Sequence, residues 1–421
     1  MNPYQVFDID FDQVVKFELK RNLSIFKAIA KKENEKIFGN EFFSIISFYD
    51  QLIDQLEDDK KRIIFLHPIT TWWCQKIVYL YACLKNNKKF ILDYDPTVAS
   101  DQIPKDLILQ FSRVLASVTV IDKELDLPTF NSLMHLPISS QNILISSEKK
   151  WSDIKNINFF SPKKKDEQIF YNADDFIFNH ILIQNMVFPN NIKAAPISLE
   201  TENFIDVKKN FNNALDNLKE IWPEIYLCVK KYLRSIIFVR DPSISGNGNR
   251  SISCSSKDFS GAILISNSSL DLFIESIVHE VSHSILYSYM EMSKLTEQSL
   301  SLNDECIFYS PWRPDVRPAI GVLHACFVFF YVAKMYFNFF KLNKNKKFEE
   351  KSLKNIKRII FAIDPLVNKV NWTPKGKEFI LKLKSESLLM LNNFNKNLKL
   401  EIDEQIIQDY DNWKKNISLQ K

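Results

Sequence analysis

The stretch His279-Glu280-Val281-Ser282-His283 constrains this chain more than any other. It sits inside a run from Leu270 to Met290 that contains no glycine or proline, which predicts a helix. Helical spacing of four puts the two imidazoles one turn apart on one face, where a single transition-metal ion can take both. Ser268 followed by Asp271 is a capping-box-like start. Phe273, Ile274, Ile277, Val278, Val281 and Ile285 form one broad apolar side, while His279 and His283 share another with Leu272, Ser276 and Leu286. This pattern predicts a buried helix with its histidine face turned to a cavity. The chain has only 6 histidines, and the alternative is that these two are ordinary hydrogen-bonded residues of the core or surface.

Two histidines rarely make a catalytic metal site, so a third ligand is expected nearby. Leu286 and Tyr289 stand where a metzincin would carry glycine and histidine, which excludes that class. Glu305, or its neighbour Asp304, could supply the carboxylate of a zinc peptidase. His324 lies in Gly321-Val322-Leu323-His324-Ala325-Cys326-Phe327, at the start of a second strongly apolar helix. A lone histidine there could equally be a satisfied core residue.

Between these candidates runs Tyr309-Ser310-Pro311-Trp312-Arg313-Pro314-Asp315-Val316-Arg317-Pro318. Its three prolines exclude a regular helix and predict a stiff loop. The segment brings Arg313 and Arg317 close before His324. A guanidinium matches a carboxylate through two parallel hydrogen bonds, which suits it to anchor an acidic co-substrate. Either arginine could instead pair with Asp315 or Asp304 to hold the loop.

Taken together, His279-Glu-Val-Ser-His283, Ser310-Pro-Trp-Arg313 with Asp315 and Arg317-Pro318, and Gly321 with Leu323-His324 resemble the HExxH-containing peptide-modification proteins encoded beside ribosomally made precursor peptides. The resemblance spans roughly residues 230 to 335. It implies a non-haem iron(II), 2-oxoglutarate-dependent peptide β-hydroxylase. In that reading His279, His283 and His324 hold iron(II), Arg313 and Arg317 are suited to the carboxylates of 2-oxoglutarate, and the partner is a precursor peptide. Oxygen activation at iron(II) needs three facial ligands and open positions, which three imidazoles can supply. Glu280 then orients the ligand set. In the alternative zinc metallopeptidase, with Glu305 as third ligand, Glu280 is the general base that activates water. A third possibility is a non-catalytic peptide-binding protein whose metal site is structural and therefore closed.

Composition sets wider bounds. A hydrophobic share of 46%, with 13% aromatics, provides for a substantial core. A formal net charge of +4 is mild for 421 residues, and the short lysine runs at 163–165 and 341–347 read as solvated surface. No nucleic-acid partner is therefore expected. The cysteines at 74, 83, 228, 254, 306 and 326 show no C-x-x-C pairing, which fits reduced thiols. The acidic N-terminus lacks the basic-then-apolar pattern of a signal peptide, so a cytoplasmic protein is expected. The most apolar window, Ile320 to Phe340, contains His324, Lys334 and Asn338 and reads as a core helix, not a membrane span.

The expected fold is mainly α-helical α+β, with the His-Glu-x-x-His helix buried against the apolar helix that carries His324. Three regions are expected. Residues 1–190 mix helices at Glu41–Leu56 and Thr70–Leu84 with β-like runs near Phe90, Val118 and Asn142, followed by a polar loop from Lys149 to Asp175. Residues 195–345 form the metal-binding core. They contain a helix at Asn203–Leu218, extended runs at Ser235–Arg240 and Ala262–Ser266, a turn at Gly246–Arg250 and a serine-rich approach at Ser251, Ser253, Ser255 and Ser256. Residues 346–421 alternate apolar and charged positions at helical spacing.

Overall fold

A computed structural model describes residues 11–86, 88, 202–240, 251–297, 307–394 and 404–418, with short pieces at 5–6, 9–10, 107, 111, 177–178 and 195–197. Two short strands, β1 (Gln5–Val6) and β2 (Ile9–Asp10), precede α1 (Phe11–Ile29), α2 (Glu35–Phe38), α3 (Asn40–Gln55), α4 (Asp58–Phe65) and α5 (Pro68–Lys85). Strands β3 (Ile177–Phe178) and β4 (Ala195–Pro196) are followed by α6 (Glu202–Ile221), α7 (Pro223–Tyr232), β5 (Ser235–Arg240), β6 (Ser253–Ser255) and β7 (Ala262–Ser266). Then come α8 (Leu270–Met292), β8 (Ile307–Ser310), β9 (Arg313–Pro318), α9 (Ala319–Asn343), α10 (Lys346–Lys369), α11 (Pro374–Phe394) and α12 (Glu404–Ser418). The architecture is mainly α-helical α+β.

The helices are grouped by one small sheet of order β3-β5-β7-β6, with β4 also on β5. Parallel β5 and β7 pair from Ser235↔Ala262 to Val239↔Ser266. Their near-continuous apolar sequences fit strands covered on both faces, since every second side chain must find a core. Ile236, Phe238, Ile263 and Ile265 enter the core built with α6 to α11. Ile237, Val239, Ala262 and Leu264 enter a second core built by α1 to α5. The first core also takes Val14 and Val15 of α1 and reaches Leu391 of α11, so it draws on N-terminal, central and C-terminal sequence. Each fully buried aliphatic or aromatic side chain in these layers contributes about 1.5–3 kcal/mol of burial free energy.

Gly261 turns the chain into β7 with φ +84°, a left-handed conformation that strains any other residue, and a Cβ there would lie a tight 3.1 Å from the Tyr232 carbonyl. The strand then feeds α8, whose Phe273, Ile274, Ile277, Val278, Val281 and Ile285 are fully buried. Its N-cap is Ser269, one residue later than the capping-box reading, and Ser269 Oγ donates to Asp271 Oδ1 at 2.7 Å. Apolar α9 lies against α8 and α10. Among the described residues it is the one helix long and apolar enough to cross a bilayer, and 72% of its most apolar window is buried inside the protein.

The proline-rich segment differs from the stiff loop expected. It forms a two-stranded antiparallel hairpin, β8 on β9, with an irregularity between Phe308 and Ser310. A ribbon of two strands leaves half its backbone donors outside the ladder, so prolines cost it little. The expected β-like runs near Phe90, Val118 and Asn142, the polar loop at 149–175 and the turn at 246–250 lie outside the described residues. Residues 11–86 contain only helices and their connections.

The far end of α8 is held by the start of α11. Thr373 Oγ1 donates to the Lys294 carbonyl at 2.7 Å, and Gly376 N donates to Thr373 Oγ1 at 3.0 Å. A Cβ on Gly376 would fall 1.7 Å from the Leu295 carbonyl oxygen, so the two backbones meet only because no side chain intervenes. Gly376→Ala is therefore expected to destabilise the protein by about 1–3 kcal/mol, read as a lower urea midpoint. An unchanged midpoint would show that this contact does not hold α8.

Candidate metal centre

His279 and His283 stand on successive turns of α8 with ring centroids 4.9 Å apart. His324, on the second turn of α9, faces them across the helix–helix contact, its ring 5.3 Å from that of His283. His283 Nδ1 and His324 Nδ1 approach to 3.1 Å, and His324 Nε2 is buried without a hydrogen-bond partner. An ion bound at about 2.0–2.1 Å to imidazole nitrogens holds neighbouring nitrogens about 3 Å apart and ring centroids about 4.5–5.3 Å apart. Both ring separations and the nitrogen pair match that spacing. No three His, Cys, Asp or Glu side chains among the described residues point their donor atoms at one common position. His283 and His324 form the converging pair, and His279 lies one ring away with its edge on Phe329, centroids 5.2 Å apart.

Burial sets the protonation of these rings. It pushes His279 down to about 4, helped by the positive charge of Arg313. His283 is pushed to about 4 by burial, then by His279 and Arg313, against an opposing pull from Glu280. His324 is held well below the ordinary imidazole range by burial and by His283. All three rings are neutral near pH 7, the state in which imidazole binds a metal.

Glu280 is 3% exposed and is clamped by the edge strand. Ser253 Oγ donates to its Oε1 at 2.6 Å and Ser255 Oγ to its Oε2 at 2.7 Å. Alternation along β6 turns both serines toward α8. Two hydroxyl donors fix the rotamer of the carboxylate, which suits an orienting group better than a free base. The neighbouring serines have structural tasks: Ser251 Oγ bonds Ser276 Oγ at 2.8 Å, and Ser256 Oγ accepts from Asp258 N at 3.3 Å.

The hairpin brings the two arginines to different places. Arg313, at the exposed start of β9, is close enough for its charge to act on both His279 and His283. Arg317 lies at the other end of the strand, half-buried, with its Cδ over Gly321 in the first turn of α9. Glu305 and Asp304 lie outside the described residues, as does the side chain of Asp315.

Aromatic rings that motif reading did not single out complete the surroundings. Trp312 stacks on Phe329 with centroids 4.8 Å apart and planes 4° from parallel, while its Nε1 donates to Asn355 Oδ1 at 3.3 Å. The Tyr287 ring lies 4.3 Å from that of His324. Burial and the charge of Glu280 raise its phenol above the ordinary tyrosine range. Tyr287 follows His283 by one helical turn, a spacing from which its place could have been read.

No protein-family model and no curated protein matches the chain. The functional reading therefore rests on the chemistry of the site.

The depressed histidines make a pH prediction. The unfolded chain takes up protons near the ordinary value of 6.5, whereas His279 and His283 take them up in the folded metal-free protein only near pH 4. The unfolded state thus binds more protons between those values, so folding stability falls as pH drops from about 6.5 to about 4. The His279 and His283 ring resonances of the metal-free protein are expected to stay in their neutral positions down to pH 5 by NMR. Titration of either near 6.5 would mean that the ring is not buried.

Proposed function

We propose that this protein is a non-haem iron(II), 2-oxoglutarate-dependent hydroxylase acting on a side chain of a ribosomally made peptide. The observation that supports this most is the convergence of two neutral imidazoles from packed helices, His283 on α8 and His324 on α9, with the neutral ring of His279 one turn away on α8. An all-histidine set leaves coordination positions open for a chelating 2-oxo acid and for dioxygen. With both bound, iron(II) supplies the oxidation in which one atom of O2 enters a substrate C–H bond and the other converts 2-oxoglutarate to succinate and carbon dioxide.

The chain's own residues have the following tasks in this reading. His279, His283 and His324 bind the ion, and Phe329 limits how the His279 ring can turn. Glu280, fixed by Ser253 and Ser255, orients the ligand set from the β6 side. Arg313 binds the distal carboxylate of 2-oxoglutarate, its charge being the one felt at the histidines. Trp312 and Phe329 form an apolar wall that keeps water from one side of the site. The precursor peptide as substrate rests on the motif resemblance. The protein works in the cytoplasm, in keeping with the unpaired thiols of Cys74, Cys83, Cys228, Cys254 and Cys326. A zinc peptidase is the weaker reading, because both oxygens of its required base already accept a hydroxyl proton.

Anaerobic titration of iron(II) and then 2-oxoglutarate tests the proposal. A visible metal-to-ligand absorption is expected with the wild-type protein. His324→Ala should weaken metal binding by more than about a hundredfold, exceeding the loss usual for residues that only support a ligand. Arg313→Leu should keep the iron and lose about tenfold in 2-oxoglutarate affinity, a modest figure because this arginine is solvent-exposed. Iron retained in the His324 variant, or the absence of the absorption in the wild type, would overturn the assignment.

A further inference from the structure

The edge strand that holds Glu280 carries a second piece of chemistry. β6 is the terminal strand of the order β3-β5-β7-β6. Every residue of β7 is buried, whereas Ser253, Cys254 and Ser255 are all partly exposed. The ladder fixes which backbone groups face outward. Ser253, Cys254 and Ser255 lie opposite Ile265, Leu264 and Ile263 of β7. Ser266 N donates to Ile252 O at 2.8 Å and Ile252 N donates to Ser266 Oγ at 2.7 Å, so the backbone groups of Ile252 face β7. Alternation then turns the N–H and C=O of Cys254 toward β7, and those of Ser253 and Ser255 away from it. Among the described residues no strand takes up these outward groups.

From this we infer that the outer edge of β6 binds the substrate peptide as an added strand, through the main-chain groups of Ser253 and Ser255. The inference rests on the reading of the substrate as a peptide, and specifies how it is held. Two outward residues at i and i+2 provide the donor and acceptor spacing that an extended backbone requires. Residues paired across a ladder point their side chains to the same face. Peptide residues opposite Ser253 and Ser255 therefore project toward α8, the face on which both serines reach Glu280. The same two residues thus fix Glu280 with their hydroxyls and can fix the substrate with their backbones, which sets the depth at which a peptide side chain approaches the histidines. Main-chain recognition of this kind tolerates many sequences and selects for an extended, proline-free segment.

The test uses the full-length protein and a randomised pool of short synthetic peptides, from which binders are recovered and resynthesised with single N-methyl groups. Strand addition predicts an alternating pattern: N-methylation weakens binding by about tenfold at every second residue and little in between. It also predicts that Ser255→Pro abolishes peptide binding while Ser255→Ala, which loses the same hydroxyl but keeps the N–H, retains it. The proline removes no bond to β7, so circular dichroism should show an intact fold; should it not, the N-methyl pattern decides. An equal effect at all positions, or at none, overturns strand addition and leaves the peptide-substrate reading in place. If the pool yields no binder, or if Ser255→Pro abolishes self-association of the chain in sedimentation, the edge serves something else and the inference fails. The iron and 2-oxoglutarate titration needs no peptide, so failure of the hydroxylase reading would show separately.

Discussion

Polar groups buried between apolar layers must find partners, and among the described residues one helix, α8, carries a dense set of them. α8 runs through the principal core yet carries Glu275, His279, Glu280, His283, Ser284 and Ser288 along it. Near its start Glu275 bonds Tyr336 of α9, and Asp271 is paired with Lys347 and Lys351 of α10. Partial burial acts against the Asp271 anion, but Ser269 and the two lysines hold its carboxyl well below the usual carboxylate range. In the middle, Glu280 takes hydroxyls from β6. Toward the end, Ser288 bonds Glu18 of α1, whose Oε1 also accepts from Ser260 at 2.6 Å and Tyr232 at 2.8 Å. Truncating either side of such a pair leaves a buried charge or hydroxyl unsatisfied, at about 1–3 kcal/mol each.

These contacts fix the helix in rotation as well as position. Rotating α8 by one residue would break the carboxylate contacts to α1, β6, α9 and α10 together. The histidine stripe is thereby held toward His324 on α9, and the serine clamp on β6 orients Glu280. The sheet contributes by setting the direction in which α8 leaves β7, and the hairpin by carrying Trp312 and Arg313 to the same end of α9. Site geometry is thus a product of elements far apart in sequence. No single segment carries it.

Much of this arrangement was legible in sequence because it depends on local periodicity. β5 and β7 have the limits that their apolar runs predict, and α8 spans the stretch free of glycine and proline. His279 and His283 share a face because helix geometry leaves no alternative. The role of Ser253 and Ser255 was not legible, since a serine-rich stretch reads equally as a loop, and only the ladder with β7 turns their hydroxyls onto Glu280. Proline count obscured the hairpin, because composition reports what a segment cannot be and not which neighbour it pairs with. The different surroundings of Arg313 and Arg317 follow from their places on β9, one at the turn and one at the foot of α9, which spacing alone does not reveal.

We propose that three imidazoles from two helices share one ion. X-ray absorption of the full-length protein, loaded anaerobically with one equivalent of iron(II), counts them directly, because imidazole rings give distinctive multiple scattering. The account predicts three imidazole nitrogens, with the remaining ligands light oxygen donors that 2-oxoglutarate partly replaces. A site of two imidazoles and a protein carboxylate, unchanged when 2-oxoglutarate is added, would contradict it.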